Sequence, residues 1–335
     1  GDAIGRLIGA PQGSVLCADT TSINMFKALS SALQLNGARK VVLSDTGNFP
    51  SDLYIAQGLL NNYGADYQLK SVAPEAVVDA MDDSVAVLLL TEVDYRTGRK
   101  HDMKALTKLA HEKDILTIWD LCHSAGALPV DLSGADADFA VGCTYKYLNG
   151  GPGSPAFIYV NPRHSDNINP LLSGWLGHEM PFAFDLDYRP DTGIGRMQVG
   201  TPSVLAMSAL DAALSLWEDV DLDALCAQSQ MLTELFINEV EARCKGHGLK
   251  LASPRIADNR GSQVSFHHAE SFAIMQALIA QGVIGDFRAP DIIRFGFAPM
   301  YVTKEDVLSA VDILQRILEG QLWDSPQYKM KSKVT

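Results

Sequence analysis

Surplus positive charge is what this sequence most lacks. Its 335 residues carry 27 Lys and Arg against 40 Asp and Glu, a net charge of −13. Phosphate neutralisation needs the opposite balance, so nucleic acid and anionic membranes are excluded as partners. A small anion is still allowed, because it needs only a local nest of donors. Patterned cysteine is also missing. Cys17, Cys122, Cys143, Cys226 and Cys244 make an odd count of five with no C-x-x-C spacing. That excludes a disulfide framework and argues against zinc, so no metal site is expected. Small buried thiols fit a reduced, intracellular protein, and a cytoplasmic location is expected. No run reaches transmembrane length and no signal-peptide pattern is read. There is no G-x-G-x-x-G after the first strand pattern and no G-x-x-x-x-G-K-[ST], which removes the dinucleotide and P-loop readings. Internal repeats and low-complexity tracts are absent.

What is present is a core-forming chain, 47% hydrophobic, in which strand and helix patterns alternate. Apolar strand runs are expected at 15–18, 40–44, 67–72, 85–90, 115–119, 139–143 and 155–160. Helical spacing fills most of the gaps, including a short helix over 74–81. The alternation predicts an α/β fold with a mostly parallel seven-stranded sheet sandwiched by helices. The last strand follows a turn, not a crossover helix, so it is expected antiparallel. Residues 161–201 are loop-rich, and long loops in compact domains are usually functional. Helices over 203–220 and 222–243 come next. A smaller α+β part has strands at 249–252, 264–267 and 292–297, helices at 271–281 and 304–318, and a polar tail. The expected domains are 1–220, the large one, and 221–335, the small C-terminal one. The opening GDAIGRLIG already has helical spacing at Ile4, Leu7 and Ile8, so a further N-terminal portion of the parent protein is expected.

Two strand runs end in chemistry. Residues 115–119 lead into Asp120 and His123, and 139–143 lead into Thr144, Tyr145 and Lys146. Ligands of open parallel sheets sit beyond the carboxyl ends of the strands. An acid and a lysine there would face one crevice. This is the pair that a pyridoxal phosphate enzyme needs: a carboxylate for the ring nitrogen and an amine for the Schiff base. The hydroxyl-rich turn at Thr20, Thr21 and Ser22 opens a helix. It reads first as a plain N-cap and second as an anion nest. Asp52 beside Phe49 is either another cap or a crevice wall with an aromatic to cover a flat ring. Trp175 and Thr201, read alone, are more often structural. Arg294 lies inside the apolar run IIRFGF. A buried arginine there needs an anion, and an amino-acid α-carboxylate is the natural one.

The segments DLCHSAGALPVDL (120–132) and GCTYKYLNGGPGS (142–154) resemble the kynureninase family. DTTSIN, TGNFPSD, SGWLGH and IIRFGFAPMY agree, and the resemblance spans nearly the whole chain. It implies a fold type I pyridoxal phosphate enzyme of the aspartate aminotransferase superfamily. The implied reaction hydrolyses the Cβ–Cγ bond of L-kynurenine, or of 3-hydroxy-L-kynurenine, to anthranilate or its hydroxy analogue and L-alanine. The resemblance thereby implies a role in tryptophan catabolism and NAD biosynthesis. The resemblance implies Lys146 as the Schiff-base lysine and Asp120 as the ring-nitrogen partner, with Tyr145 as a catalytic relay. It puts His123 and Phe49 at the ring and Thr20, Thr21, Tyr145 and Trp175 around the phosphate. Pro50, Ser51, Asp52 and Thr91 would line the cofactor pocket. Thr201 would reach the phosphate from the partner subunit of a homodimer with a shared active site, and Arg294 would bind the substrate carboxylate. Family members also carry a further N-terminal segment. The rivals are a class V aminotransferase, a cysteine desulfurase-like enzyme, and a cofactor-binding fragment without activity. The desulfurase needs a cysteine on a mobile loop, and none of the five is so placed.

Overall fold

The computed structural model describes residues 1–330. The expected polar tail runs on through 331–335, which lie outside the described residues. Two compact units are formed. One comprises Gly1–Glu92 with His101–Val220, and the other Val93–Lys100 with the chain from Asp221 onward. The short excursion 93–100 therefore groups with the later part of the chain.

The first unit is built on seven strands: β1 (Val15–Cys17), β2 (Val41–Asp45), β3 (Gln68–Val72), β4 (Val85–Thr91), β5 (Leu116–Asp120), β6 (Phe139–Gly142) and β7 (Phe157–Val160). Their order is β1-β7-β6-β5-β4-β2-β3. From β3 to β6 all pairings are parallel. β7 runs antiparallel to both β6 and β1, as expected from the turn that precedes it. That turn uses Gly151 and Gly153 at φ +79°, a region costly for residues with a Cβ. Every residue of β4 is buried, which explains why its sequence is continuously apolar and does not alternate. Leu29 and Leu33 of the helix Thr21–Leu35 pack with Val87, Ile118, Phe139 and Ile158 in the core. Thr91 pairs with Asp120 and Asp120 with Val141, so β4, β5 and β6 end level with one another. This common end positions the site.

Some local expectations change. The helix over 203–220 is shorter, Val204–Ser215, and continues as turns that bring Trp217 into the interior. The helix over 74–81 is only a 3-10 turn, Pro74–Ala76. The β-branched Val77 and Val78 follow it, and they resist helical propagation.

The second unit carries an antiparallel sheet of β8 (Lys250–Leu251), β9 (Gln263–His267), β10 (Asp286–Arg288) and β11 (Ile292–Gly296), ordered β10-β11-β9-β8. Strand β10 is too short and polar to show in hydropathy. Val264, Phe266, Ile293 and Phe295 form one apolar face with Phe236 of the helix Leu222–Arg243. The alternate residues Gln263, Ser265 and Arg294 meet the 93–100 segment instead. Gln263 Nε2 donates to the Asp94 carbonyl at 2.8 Å, and Ser265 Oγ to that of Arg96.

Candidate active site

The site of the first unit begins with backbone. Asp120 is the last residue of β5 and is 3% exposed. One of its carboxylate oxygens accepts the Cys122 N–H at 2.7 Å, which turns the chain back after the strand. The next turn brings up His123. Strand β6 ends alongside, and the chain leads through Thr144 and Tyr145 to Lys146. Thr144 Oγ1 is anchored by Ser154 and by the Pro155 carbonyl, each at 2.6 Å, so this loop is fixed from beneath. Lys146 Nζ then lies 2.9 Å from His123 Nε2. It also sits 6.0 Å from the Phe49 ring centre and 5.9 Å from that of Tyr145.

Asp52 faces Asp120 from the helix Pro50–Tyr63. It is 2% exposed. Burial pushes its carboxyl well above the usual carboxylate range, and the charge of and hydrogen bond with Asp120 push it further; Lys146 works against them. One Asp52 oxygen is buried without a hydrogen-bond partner. Unmet buried carboxyl oxygens are costly in a folded protein, and they mark where a ligand donor belongs. Thr91 is buried at the end of β4, with its hydroxyl 3.5 Å from the Asp120 carbonyl. Phe49 caps the start of the Asp52 helix, held by the Asn48 side chain, and Pro50 occupies the first helical position. Ser51 joins its hydroxyl to Ser22 at 3.0 Å, which ties this turn to the Thr20 turn. Thr20 is the N-cap of Thr21–Leu35, accepting from Ile23 N at 3.3 Å, and Thr21 Oγ1 is 3.7 Å from Cys122 Sγ.

Lys146, His123, Tyr145, Phe49, Asp52, Asp120 and Thr91 thus converge at one end of the sheet, with the Thr20–Thr21 and Ser51 turns joined beside Cys122. Burial, and then Cys143 close by, pushes the Tyr145 phenol upward. Trp175 is 44% exposed and rests edge-on against Phe182 at 5.6 Å, and Thr201 is exposed. Arg294 belongs to the second unit. It is 7% exposed, and its anion is Asp286, one strand across; it also donates to the Tyr95 carbonyl. Cys122 and Cys143, in hydrogen-bond contact just past the ends of β5 and β6, are site neighbours that hydropathy alone reads as core.

Chemically, an amine beside an imidazole can exchange protons. A buried carboxyl pair with an unmet oxygen can hold a protonated ring nitrogen. Aromatic rings beside the amine can cover a flat heterocycle. The donor set fits a pyridoxal ring on these grounds.

Comparison with known proteins agrees. Residues 225–314 match the family model described as the kynureninase C-terminal domain. Kynureninase of Burkholderia pseudomallei (strain K96243) is 48% identical over 340 residues, covering 100% of this chain and 82% of the relative. Kynureninase of Pseudomonas fluorescens gives the same values, 48% identity with 100% and 82% covered. Among solved structures, the apo cysteine desulfurase of Thermococcus onnurineus NA1 superposes with a TM-score of 0.80 at 18% identity, covering 95% of this chain and 82% of that one. The cystine C–S lyase C-DES, in complex with its product cysteine persulfide, also reaches 0.80 at 18% identity, covering 94% and 84%. Identities this low speak for the fold, a fold type I α/β architecture, and not for the reaction. The full-length relatives decide the family: this chain belongs to the kynureninases.

Proposed function

We propose that this chain hydrolyses the Cβ–Cγ bond of L-kynurenine to anthranilate and L-alanine, using pyridoxal 5'-phosphate. The observation that carries the reading is the convergence of Lys146 and His123 with the buried Asp52–Asp120 pair, in a kynureninase. Bound there, the pyridoxal ring supplies an electron sink for the bonds at Cα and Cβ of the amino acid.

The chain's own residues supply the rest. Asp120, with Asp52 behind it, holds the proton on the ring nitrogen. Phe49 and His123 cover the ring, and Pro50, Ser51 and Thr91 shape the wall. Lys146 carries the cofactor between turnovers and moves the proton at Cα of the substrate. Its contact with His123 gives that proton a second station. Tyr145, whose phenol is biased toward its protonated form, is the donor at the substrate carbonyl or at Cβ. Thr20, Thr21 and Trp175 bind the phosphate. Arg294 binds the α-carboxylate, for which Asp286 must share its guanidinium.

The working unit is a homodimer, with Thr201 reaching the partner's phosphate. Exposed Leu171, Phe182, Phe184, Leu186, Val204 and Leu205 support this, because large apolar side chains left in water suit a covering partner. The chain works in the cytoplasm, in tryptophan catabolism and the supply of NAD precursors. No helix among the described residues is long and apolar enough to cross a membrane. Purified chain given cofactor and L-kynurenine should release fluorescent anthranilate, and 3-hydroxy-L-kynurenine should be run beside it. A visible cofactor band without release of either product would reject the hydrolase and leave a cofactor-binding protein.

A further inference from the structure

Lys27 has no place in the chemistry above, yet it is a charged side chain with 0% exposure in the middle of the first unit. It lies on the helix Thr21–Leu35 among Met25, Ala28 and Leu29, all core residues. A leucine would pack there without the cost of removing an ammonium from water. Burial does push the Lys27 amine downward, and Asp19 opposes that.

The partners show what the charge achieves. Lys27 Nζ donates to Asp19 Oδ2 at 2.8 Å and to the Met197 carbonyl at 2.8 Å. Asp19 directly precedes Thr20 and holds φ +55°, a left-handed conformation that a non-glycine residue rarely adopts without support. The carbonyl of Asp19 is also bound, by Ala156 N at 2.9 Å, so the turn into Thr20 and Thr21 is pinned on both sides. Met197 starts the other line of contact. A Cβ on Gly174 would stand 1.9 Å from the Val199 carbonyl, and one on Gly177 would stand 2.5 Å from that of Gln198. The backbone at 197–199 is therefore the bed on which Gly174, Trp175 and Gly177 lie. One buried amine joins the Thr20–Thr21 turn to the segment that carries Trp175.

We propose that Lys27 is the positioning residue of the phosphate cradle, clamping the Thr20–Thr21 turn and the Trp175 segment in one geometry without touching the phosphate. The inference rests on the assignment of Thr20, Thr21 and Trp175 to the phosphate. It separates from a general packing role because its effect belongs to one group of the ligand. The 335-residue chain, stripped of cofactor, is titrated with pyridoxal 5'-phosphate and with pyridoxal, which lacks the phosphate, following the visible band. Lys27→Met should weaken pyridoxal 5'-phosphate binding about tenfold or more, the scale of a lost charge-assisted hydrogen bond, and leave pyridoxal binding unchanged. Asp19→Asn, at a partly exposed position, should shift the same preference in the same direction by less, and it serves if Lys27→Met does not fold. Equal weakening of both ligands, or no change in either, overturns the inference while the phosphate assignment stands. Wild-type chain that holds the two ligands equally overturns the phosphate assignment and the inference together.

Discussion

The two ends of the main sheet each hold a buried aspartate system, and they are built in opposite ways. At the carboxyl end Asp52 and Asp120 face one another, and one Asp52 oxygen has no partner. At the amino end Asp138, just before β6, has 0% exposure and is fully met. It accepts from His111 at 2.8 Å, His164 at 2.7 Å, Arg163, and both the N–H and the hydroxyl of Thr117 at 2.8 and 3.1 Å. Burial alone would raise the Asp138 carboxyl, but those hydrogen bonds hold it well below the ordinary range, whereas Asp52 is pushed well above it. Burial is common to both. Partners decide the sign. One end fastens β5 to β6, and the other keeps unmet polar capacity for a ligand, at some expense of stability.

That contrast can be broken from either end. Lys146→Ala should have the largest effect. Turnover of L-kynurenine should fall about a thousandfold or more, as for loss of an acid–base group that also carries the cofactor. Stability should move by no more than about 1 kcal/mol, because Lys146 is only partly buried and sits outside the core. Comparable turnover in the variant would remove Lys146 from the chemistry.

Asp138→Asn should do the reverse, costing about 3 kcal/mol at pH 7 by removing the buried carboxylate that His111, His164 and Arg163 share, although Asp136 still pairs with His111 and Arg163, with turnover per folded molecule retained. The pH dependence follows from the depressed folded value. The unfolded carboxyl titrates near about 3.9. The stabilisation is therefore complete above that value and is lost as pH falls through it toward the folded one. Urea unfolding of both proteins should show the gap closing below about pH 4, and a gap independent of pH would refute the account.

Asp52→Asn should be milder in stability than Asp138→Asn and opposite in sign. A folded carboxyl pushed upward holds its proton more tightly than the unfolded one. It therefore detracts from stability as pH rises above about 3.9, up to the folded value. Asparagine, which never ionises, should stabilise the chain by about 1 kcal/mol at pH 7 and by less near pH 4, while turnover falls. A variant less stable than wild type at pH 7 would show that Asp52 is ionised and satisfied in the fold.

Much of this was legible in the chain itself. Buried parallel strands announce themselves as apolar runs, so Asp120 and Lys146 at the ends of two such runs could be placed together before any coordinate. The turn bearing Gly151 and Gly153 signalled that β7 reverses. What hydropathy could not carry was pairing across distance. Lys27 is one lysine in an apolar helix, and only Asp19 and the Met197 carbonyl, 170 positions away, explain it. Asp138 looks like an ordinary turn residue until His111 and His164 converge on it. Arg294 was legible as a buried cation in need of an anion, but Asp286 lies on β10, a strand too short and polar for its pattern to be seen. Trp175 shows the same limit from the other side: its ring meets Phe182 within one loop, and spacing says nothing of what else it covers.

The placement of β1 has a consequence for biosynthesis. It is the first strand in this sequence, yet among the described residues β7 is its only neighbour in the sheet. At about 5–20 residues per second on the ribosome, β1 and the Thr20 turn behind it wait roughly 7–30 s for that neighbour to be made. The nascent protein can stack β2 to β6 in the meantime, because each of these finds a partner among earlier or adjacent strands. The edge that carries the Thr20 turn is therefore the last part of the sheet to close. An unpaired β1 of three residues is short enough to pass that interval without recruiting a foreign strand.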